Sequence, residues 1–160
     1  MIKKYINNFF SLFGYTIQKK HNRKKFIDDL YPILIKKEHP IIFDVGASKG
    51  QSIERYQGLY KNSIIHSFEP VKNEFNLLKE KFKNNPNIHL SNVGVGDHLG
   101  EELINIAKNT GHSSFLNIKK NTRWINERSK SVGVKEDEYI SRQENVPIIT
   151  LDEYCKKNNI

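Results

Sequence analysis

Ile41-Ile42-Phe43-Asp44-Val45-Gly46-Ala47-Ser48-Lys49-Gly50 is the stretch on which the fold turns. Four of its first five residues are apolar and mostly β-favouring, which predicts a strand buried on both faces. Gly46 and Gly50 bracket a tight turn, and Gln51 to Tyr56 continue as a helix with Ile53 and Tyr56 on one face. Strand, glycine turn and helix together open a nucleotide-binding βαβ unit, in which missing side chains let a ligand approach the backbone. A glycine-bearing turn that binds nothing has the same ten residues, so the stretch alone leaves both readings open.

Outward from this unit, a chain of 160 residues is one domain by length, with enough material for a core. The formal net charge of +8 suits an acidic partner such as nucleic acid or an anionic membrane surface, although Lys, Asn and Ile are abundant throughout. The single cysteine, Cys155, excludes an internal disulfide and fits a reducing compartment. There is no internal repeat, no Cys/His cluster at zinc spacing and no bilayer-length apolar run.

Residues 1–38 read as a basic amphipathic helical segment preceding a domain at 39–160. Ile2, Tyr5, Ile6, Phe9 and Phe13 share one face of a first helix, which Gly14 ends. Every charged side chain from Lys3 to Lys25 is basic, so residues 1–25 suit peripheral membrane contact. Docking of the same apolar face on the domain is the alternative. A secretory signal does not fit, because Asn7, Asn8 and Ser11 interrupt any apolar core. A second helix, Lys24 to Lys37, carries Phe26, Ile27, Leu30 and Leu34 on one face, with Pro32 starting or kinking a turn.

Beyond the first βα unit, Ser63 to Phe68 predicts a second strand ending in Glu69-Pro70. Glu69 lies 23 positions after Gly46, close to the offset of roughly 20 at which dinucleotide folds place the acid that accepts from ribose. Favouring the N-terminus of the following helix, Val71 to Lys83, is its other use. Glycine turn and acid together favour nucleoside binding. Val71, Phe75, Leu78 and Phe82 form the buried stripe of that helix, and Asn84-Asn85-Pro86 stops it. Ile88 to Val95 predicts a third strand finishing in Gly94-Val95-Gly96-Asp97, a bare backbone beside an acid that suits a flat base or simply makes a turn.

The turn is Gly-x-x-x-Gly and not Gly-x-Gly-x-x-Gly, and Lys49-Gly50 makes no P-loop. A ligand with a ribose and no phosphates fits better, and S-adenosylmethionine is a common one. Five blocks carry a family resemblance in order and spacing: Asp44 to Ser52, His66 to Pro70, Asn92 to Asp97, Gly111-His112-Ser113-Ser114, and Val146 to Asp152. Together they resemble the FkbM family of class I methyltransferases over about residues 41–155.

That resemblance implies an α/β fold with a Rossmann-like class I methyltransferase sheet and S-adenosyl-L-methionine as cofactor. It further implies O-methylation of a hydroxyl on a sugar, polyketide or similar small-molecule or glycan acceptor. By position, Asp44, Gly46, Ala47, Ser48 and Gly50 would form the methionine side of the cofactor site, Glu69 would hold the ribose and Asp97 would sit near adenine. Ser48 stands where the family usually has Asn, which shortens its reach. Ser113 and Ser114 would face substrate or end a strand, and the resemblance names no catalytic base.

Glu102 to Ala107 predicts an extra strand, and the polar run Asn121 to Glu144 a mobile surface excursion in which Trp124 is a lid, a substrate contact or a loop anchor. Val146 to Ile149 reads as a short strand, and Thr150-Leu151-Asp152-Glu153 as a capping box opening a last helix. The resemblance would continue after Ile160 into a fourth parallel strand, so the expected sheet is incomplete at its C-terminus and the chain a truncated product or fragment. The other function class consistent with the residues is a non-catalytic nucleoside-binding or basic nucleic-acid-associated module. Nucleic acid is disfavoured, because the strands lack the interleaved aromatics of an RNA-stacking sheet. The expected location is cytoplasmic, free or peripheral at the inner membrane face.

Overall fold

The structure, a computed structural model, describes residues 30–160. The predicted helix over residues 1–13, the membrane-contact stretch 1–25 and the start of the second helix lie outside the described residues. Residues 30–34 are helical, and Pro32 stands within that run. Residues 37–160 form a compact unit of their own, described below.

Three parallel strands make its first sheet: β1 (Ile41–Val45), β2 (Ile64–Phe68) and β3 (Ile88–Ser91), in the order β1-β2-β3. Ile42 pairs with Ile65 and Ile65 with Ile88, so side chains of one parity line up across all three strands. Helices α1 (Gln51–Leu59) and α2 (Lys72–Phe82) cover one face. There Ala47, Ile53, Ile65 and Leu78 form a buried cluster with Ile42, Tyr56, Phe82, Ile88 and Leu90 around it. On the opposite parity Phe43, His66 and Phe68 stack along the sheet, and Tyr154 of α4 (Leu151–Asn158) sets its ring edge-on to Phe68 at 4.7 Å. The Tyr154 hydroxyl is hydrogen-bonded to His66 Nδ1 at 2.9 Å, and Thr150 caps α4 by accepting from the Glu153 amide at 3.1 Å.

β1 is not buried on both faces as its composition suggests. Ile41 and Val45 are 49% and 54% exposed, because α4 covers the sheet only as far as Phe43 and no strand among the described residues pairs the outer edge of β1.

The predicted third strand is two strands in two sheets. β3 stops at Ser91, and after Asn92-Val93 the chain re-enters as β4 (Gly94–Val95), which pairs in parallel with the end of β6 (Ile140–Ile149). An added Cβ at Gly94 would come within 2.6 Å of Ile148 Cδ1 and 2.8 Å of Phe115 Cζ, so a side chain here would have to displace both. β5 (Gly100–Ala107) runs antiparallel to β6, with a bulge between Ile106 and Ala107, giving the order β4-β6-β5. Ile104, Ile106, Val146 and Ile148 alternate inward and enclose Val71 and Phe115.

The stretch Asn121 to Glu144 is structured and not a mobile excursion. It holds α3 (Arg123–Ser131), a 3₁₀ turn (Glu136–Glu138) and the first half of β6, on a cluster of Ala107, Ile125 and Tyr139. Its few apolar residues suffice because Tyr139 is fully buried and Ile125 nearly so. Trp124 anchors here, edge-on to Tyr139, with the Arg128 guanidinium 5.9 Å from its ring. No helix among the described residues is long and apolar enough to cross a membrane.

Candidate functional site

At the carboxyl ends of the parallel strands a cleft of about 320 Å³ opens. Val45, Gly46 and Ser48 come from the β1 turn, Phe68 to Val71 from the end of β2, and Val93 to Val95 from the crossing between sheets. Ile104 of β5 and the segment Thr110 to Leu116 close the far side, with Thr110, Gly111, Ser113, Ser114, Phe115 and Leu116 as lining. A cleft of this size at strand termini is the expected ligand position in an open α/β sheet.

The β1 turn is shaped by its backbone. Gly46 has φ +79°, and Ser48 follows at φ +46°, a left-handed conformation uncommon for a side-chain-bearing residue. The amides of Gly46 and Ala47 both donate to the Phe68 carbonyl, at 2.9 and 3.1 Å, which ties the turn to the end of β2. The Ser48 amide thereby points at Glu69 and donates to Oε2 at 2.7 Å, while the Val71 amide donates to Oε1 at 2.9 Å.

Glu69 is 5% exposed and is the one ionisable side chain among the residues lining the cleft. Burial pushes its carboxyl pKa up; the two amide bonds pull it down less strongly, and the nearby charges of Glu74 and Asp44 add to the rise. A carboxylate has about four acceptor sites, so two amides leave about two for a ligand's hydroxyls. Asn92 holds the Glu69-Pro70 turn from below, its side-chain amide donating to both carbonyls at 2.8 and 3.1 Å.

Of the residues expected in the site, Gly46, Ser48, Glu69, Ser113 and Ser114 line one cleft. Asp44, Ala47, Gly50 and Asp97 are not among its lining residues. Asp44 is buried one step below, its Oδ2 accepting from Ser52 Oγ at 2.8 Å and Ser67 Oγ at 3.2 Å. Ala47 faces the helical core, and a Cβ at Gly50 would strike the Phe82 ring at 2.6 Å. Asp97 lies out in solvent, and its hydrogen bond from His98 lowers its pKa. The Ser113 hydroxyl accepts from the Ala107 amide at 3.2 Å, and Ser114 forms a two-bond bridge to the backbone of Asn105.

Sequence reasoning did not single out Asn92 as the brace for Glu69, nor Thr110, Phe115 and Leu116 as cleft wall. Asn92 stood inside a recognised block; the wall residues carried no local signal. Among the described residues no group of His, Cys, Asp or Glu is placed to hold a metal ion. The arrangement accepts hydroxyl donors at one buried carboxylate and offers an otherwise uncharged, largely apolar enclosure.

The family model of the methyltransferase FkbM domain matches residues 44–160. No curated protein matches the chain. Among solved structures, the chain is 19% identical to a methyltransferase FkbM from Methylobacillus flagellatus KT, over 40% of this chain and 19% of that one, with a TM-score of 0.36. It is 17% identical to a coclaurine N-methyltransferase bound to N-methylheliamine and SAH, over 48% of this chain and 24% of that one, also at 0.36. The chain thus spans a quarter or less of the length of these two proteins.

Proposed function

Because the chain belongs to the methyltransferase FkbM domain family, we propose that its cleft binds S-adenosylmethionine and serves methyl transfer to a hydroxyl of a small-molecule or glycan acceptor. The observation that carries this reading is Glu69, buried in the cleft with each carboxylate oxygen oriented by a backbone amide. A ribose with neighbouring hydroxyls matches the remaining acceptor sites, and an enclosure whose one charge is negative suits a cationic, phosphate-free nucleoside.

Bound there, S-adenosylmethionine would supply an activated methyl group on its sulfonium. Glu69 would hold the ribose, the open backbone at Gly46 would lie against the ligand, and Ser113 and Ser114 would offer hydroxyls from the opposite wall. Rate would come mainly from holding donor and acceptor in line. Glu69 is committed to the ribose in this arrangement, so the acceptor's proton leaves to solvent or to a group beyond the lining residues. Nucleic acid gains no support, since no lysine or arginine is among the residues that line the cleft. A cytoplasmic location, free or peripheral at the inner membrane face through residues 1–25, is supported by the sequence alone.

Calorimetric titration of the 160-residue chain with S-adenosylhomocysteine tests the reading. Glu69→Ala removes a charge-assisted acceptor and should weaken binding roughly ten- to a hundredfold. Unchanged affinity would remove Glu69 from the site; equal binding of ATP would refute the phosphate-free assignment.

A further inference from the structure

The far wall of the cleft, Thr110 to Leu116, opens with a 3₁₀ turn (Thr110–His112) and belongs to neither sheet, yet it is tied to the rest of the fold. Two sets of bonds do this. The first is local: the Ser114 amide and carbonyl pair with Asn105, and the Asn105 side chain donates to the Leu116 carbonyl at 3.2 Å. The second reaches across to another core, where His112 Nδ1 is hydrogen-bonded to the hydroxyl of Tyr139. Tyr139 is itself fully buried, packed with Ala107 and Ile125, its carbonyl accepting from the Lys108 amide at 2.8 Å.

We infer that His112, through Tyr139, is a positioning residue that sets the cleft wall for its ligand. His112 sits between Gly111 and Ser113, both of which line the cleft, while its own ring turns away to stack near Tyr139 and Trp124. Its ring therefore touches no ligand in the cleft and acts by where it places its neighbours. The wall lies next to the β1 turn: a Cβ added at Gly111 would sit 3.7 Å from the Oγ of Ser48, in ordinary contact with the residue whose amide orients Glu69. A shift of the wall toward or away from the β1 turn changes the cleft's width at the Glu69 side.

This inference rests on the cofactor reading for its ligand but not for its mechanics, and the experiment separates them. S-adenosylhomocysteine affinity and amide hydrogen exchange are measured together on the full chain, for His112→Phe, His112→Asn and Tyr139→Phe. His112→Phe and Tyr139→Phe keep the ring packing and lose the hydrogen bond. Each should weaken S-adenosylhomocysteine binding roughly three- to tenfold, the value of one hydrogen bond, with the double variant no weaker than either single. His112→Asn, whose amide can replace Nδ1, should restore most of the affinity.

Exchange in residues 109–116 should rise in the two Phe variants while residues 41–69 stay protected. That selective rise in a chain with no S-adenosylhomocysteine affinity would uphold the wall's anchoring and overturn the cofactor assignment. Wild-type affinity and wild-type exchange in both Phe variants would overturn the inference, as would loosening spread evenly over the whole chain.

Discussion

Gly46 and Gly50 share the same backbone angle, φ +79°, and differ in everything around it. A side chain at Gly46 would meet no protein atom, so Gly46→Ala should cost only the left-handed strain of about 1–2 kcal/mol. At Gly50 the added carbon would press on Phe82 and Leu78, and strain plus overpacking should cost roughly 2–4 kcal/mol. Urea unfolding of the two variants measures the difference. Glu69 gives a second prediction, through pH. Its raised pKa means that folding favours the protonated form relative to the unfolded chain; the stability this contributes is full below the unfolded pKa and is lost as pH rises through the folded one. Ribose hydroxyls need the ionised form, so S-adenosylhomocysteine affinity should fall as pH is lowered through that raised pKa, and Glu69→Gln should be flat across the same interval. The position of Glu69 was legible because a strand end and a fixed offset from a glycine turn are both local patterns. Its brace Asn92 and the wall anchors Asn105 and His112 were not, since their roles exist only through partners distant in sequence.

At the level of elements, what could be read ahead was whatever buries a periodic apolar face. β1, β2, α1 and α2 carry such faces and fell within a few residues of expectation. The second half of the chain differs physically. β6 runs through Ser141, Arg142, Gln143 and Glu144 before reaching its apolar end, and it persists as a strand because β5 supplies backbone partners along it. α3 stands on Ile125 and a Thr122 cap, too little signal to separate it from a polar loop. α4 was legible through its cap, and it offers an element-scale prediction. Thr150→Ala loses the bond to the Glu153 amide and should cost about 1 kcal/mol, lowering the Tm by about 2–4 °C. Thr150→Ser should keep the cap. If the two variants melt alike, α4 is held by the packing of Tyr154 on Phe43, His66 and Phe68 and owes nothing to its cap.

Over the whole molecule, β1 is both the strand that carries the glycine turn and an edge of its sheet among the described residues. Ile41 and Val45 lie exposed along it, on an edge that no strand among the described residues pairs, and an apolar strand edge is the usual template for pairing between molecules. Sedimentation velocity of the 160-residue chain should show association growing with concentration, and Ile41→Lys should shift it toward monomer without lowering the Tm. A wild-type chain that stays monomeric throughout the range would show that this edge is protected. The α/β class and the parallel first sheet followed from the sequence, whereas the division into two sheets did not, because only Asn92 and Val93 separate β3 from β4 and the glycines that follow read as the end of one strand as well as the start of another. That two-residue crossing has a consequence for cooperativity. Each sheet has its own core, and the floor of the cleft, Val93 to Val95, is where the chain passes from one to the other. Any molecule filling the cleft rests on both halves at once, so its binding energy also acts as adhesion between them. By mass action it raises the cost of either half opening alone and drives the two to melt as one.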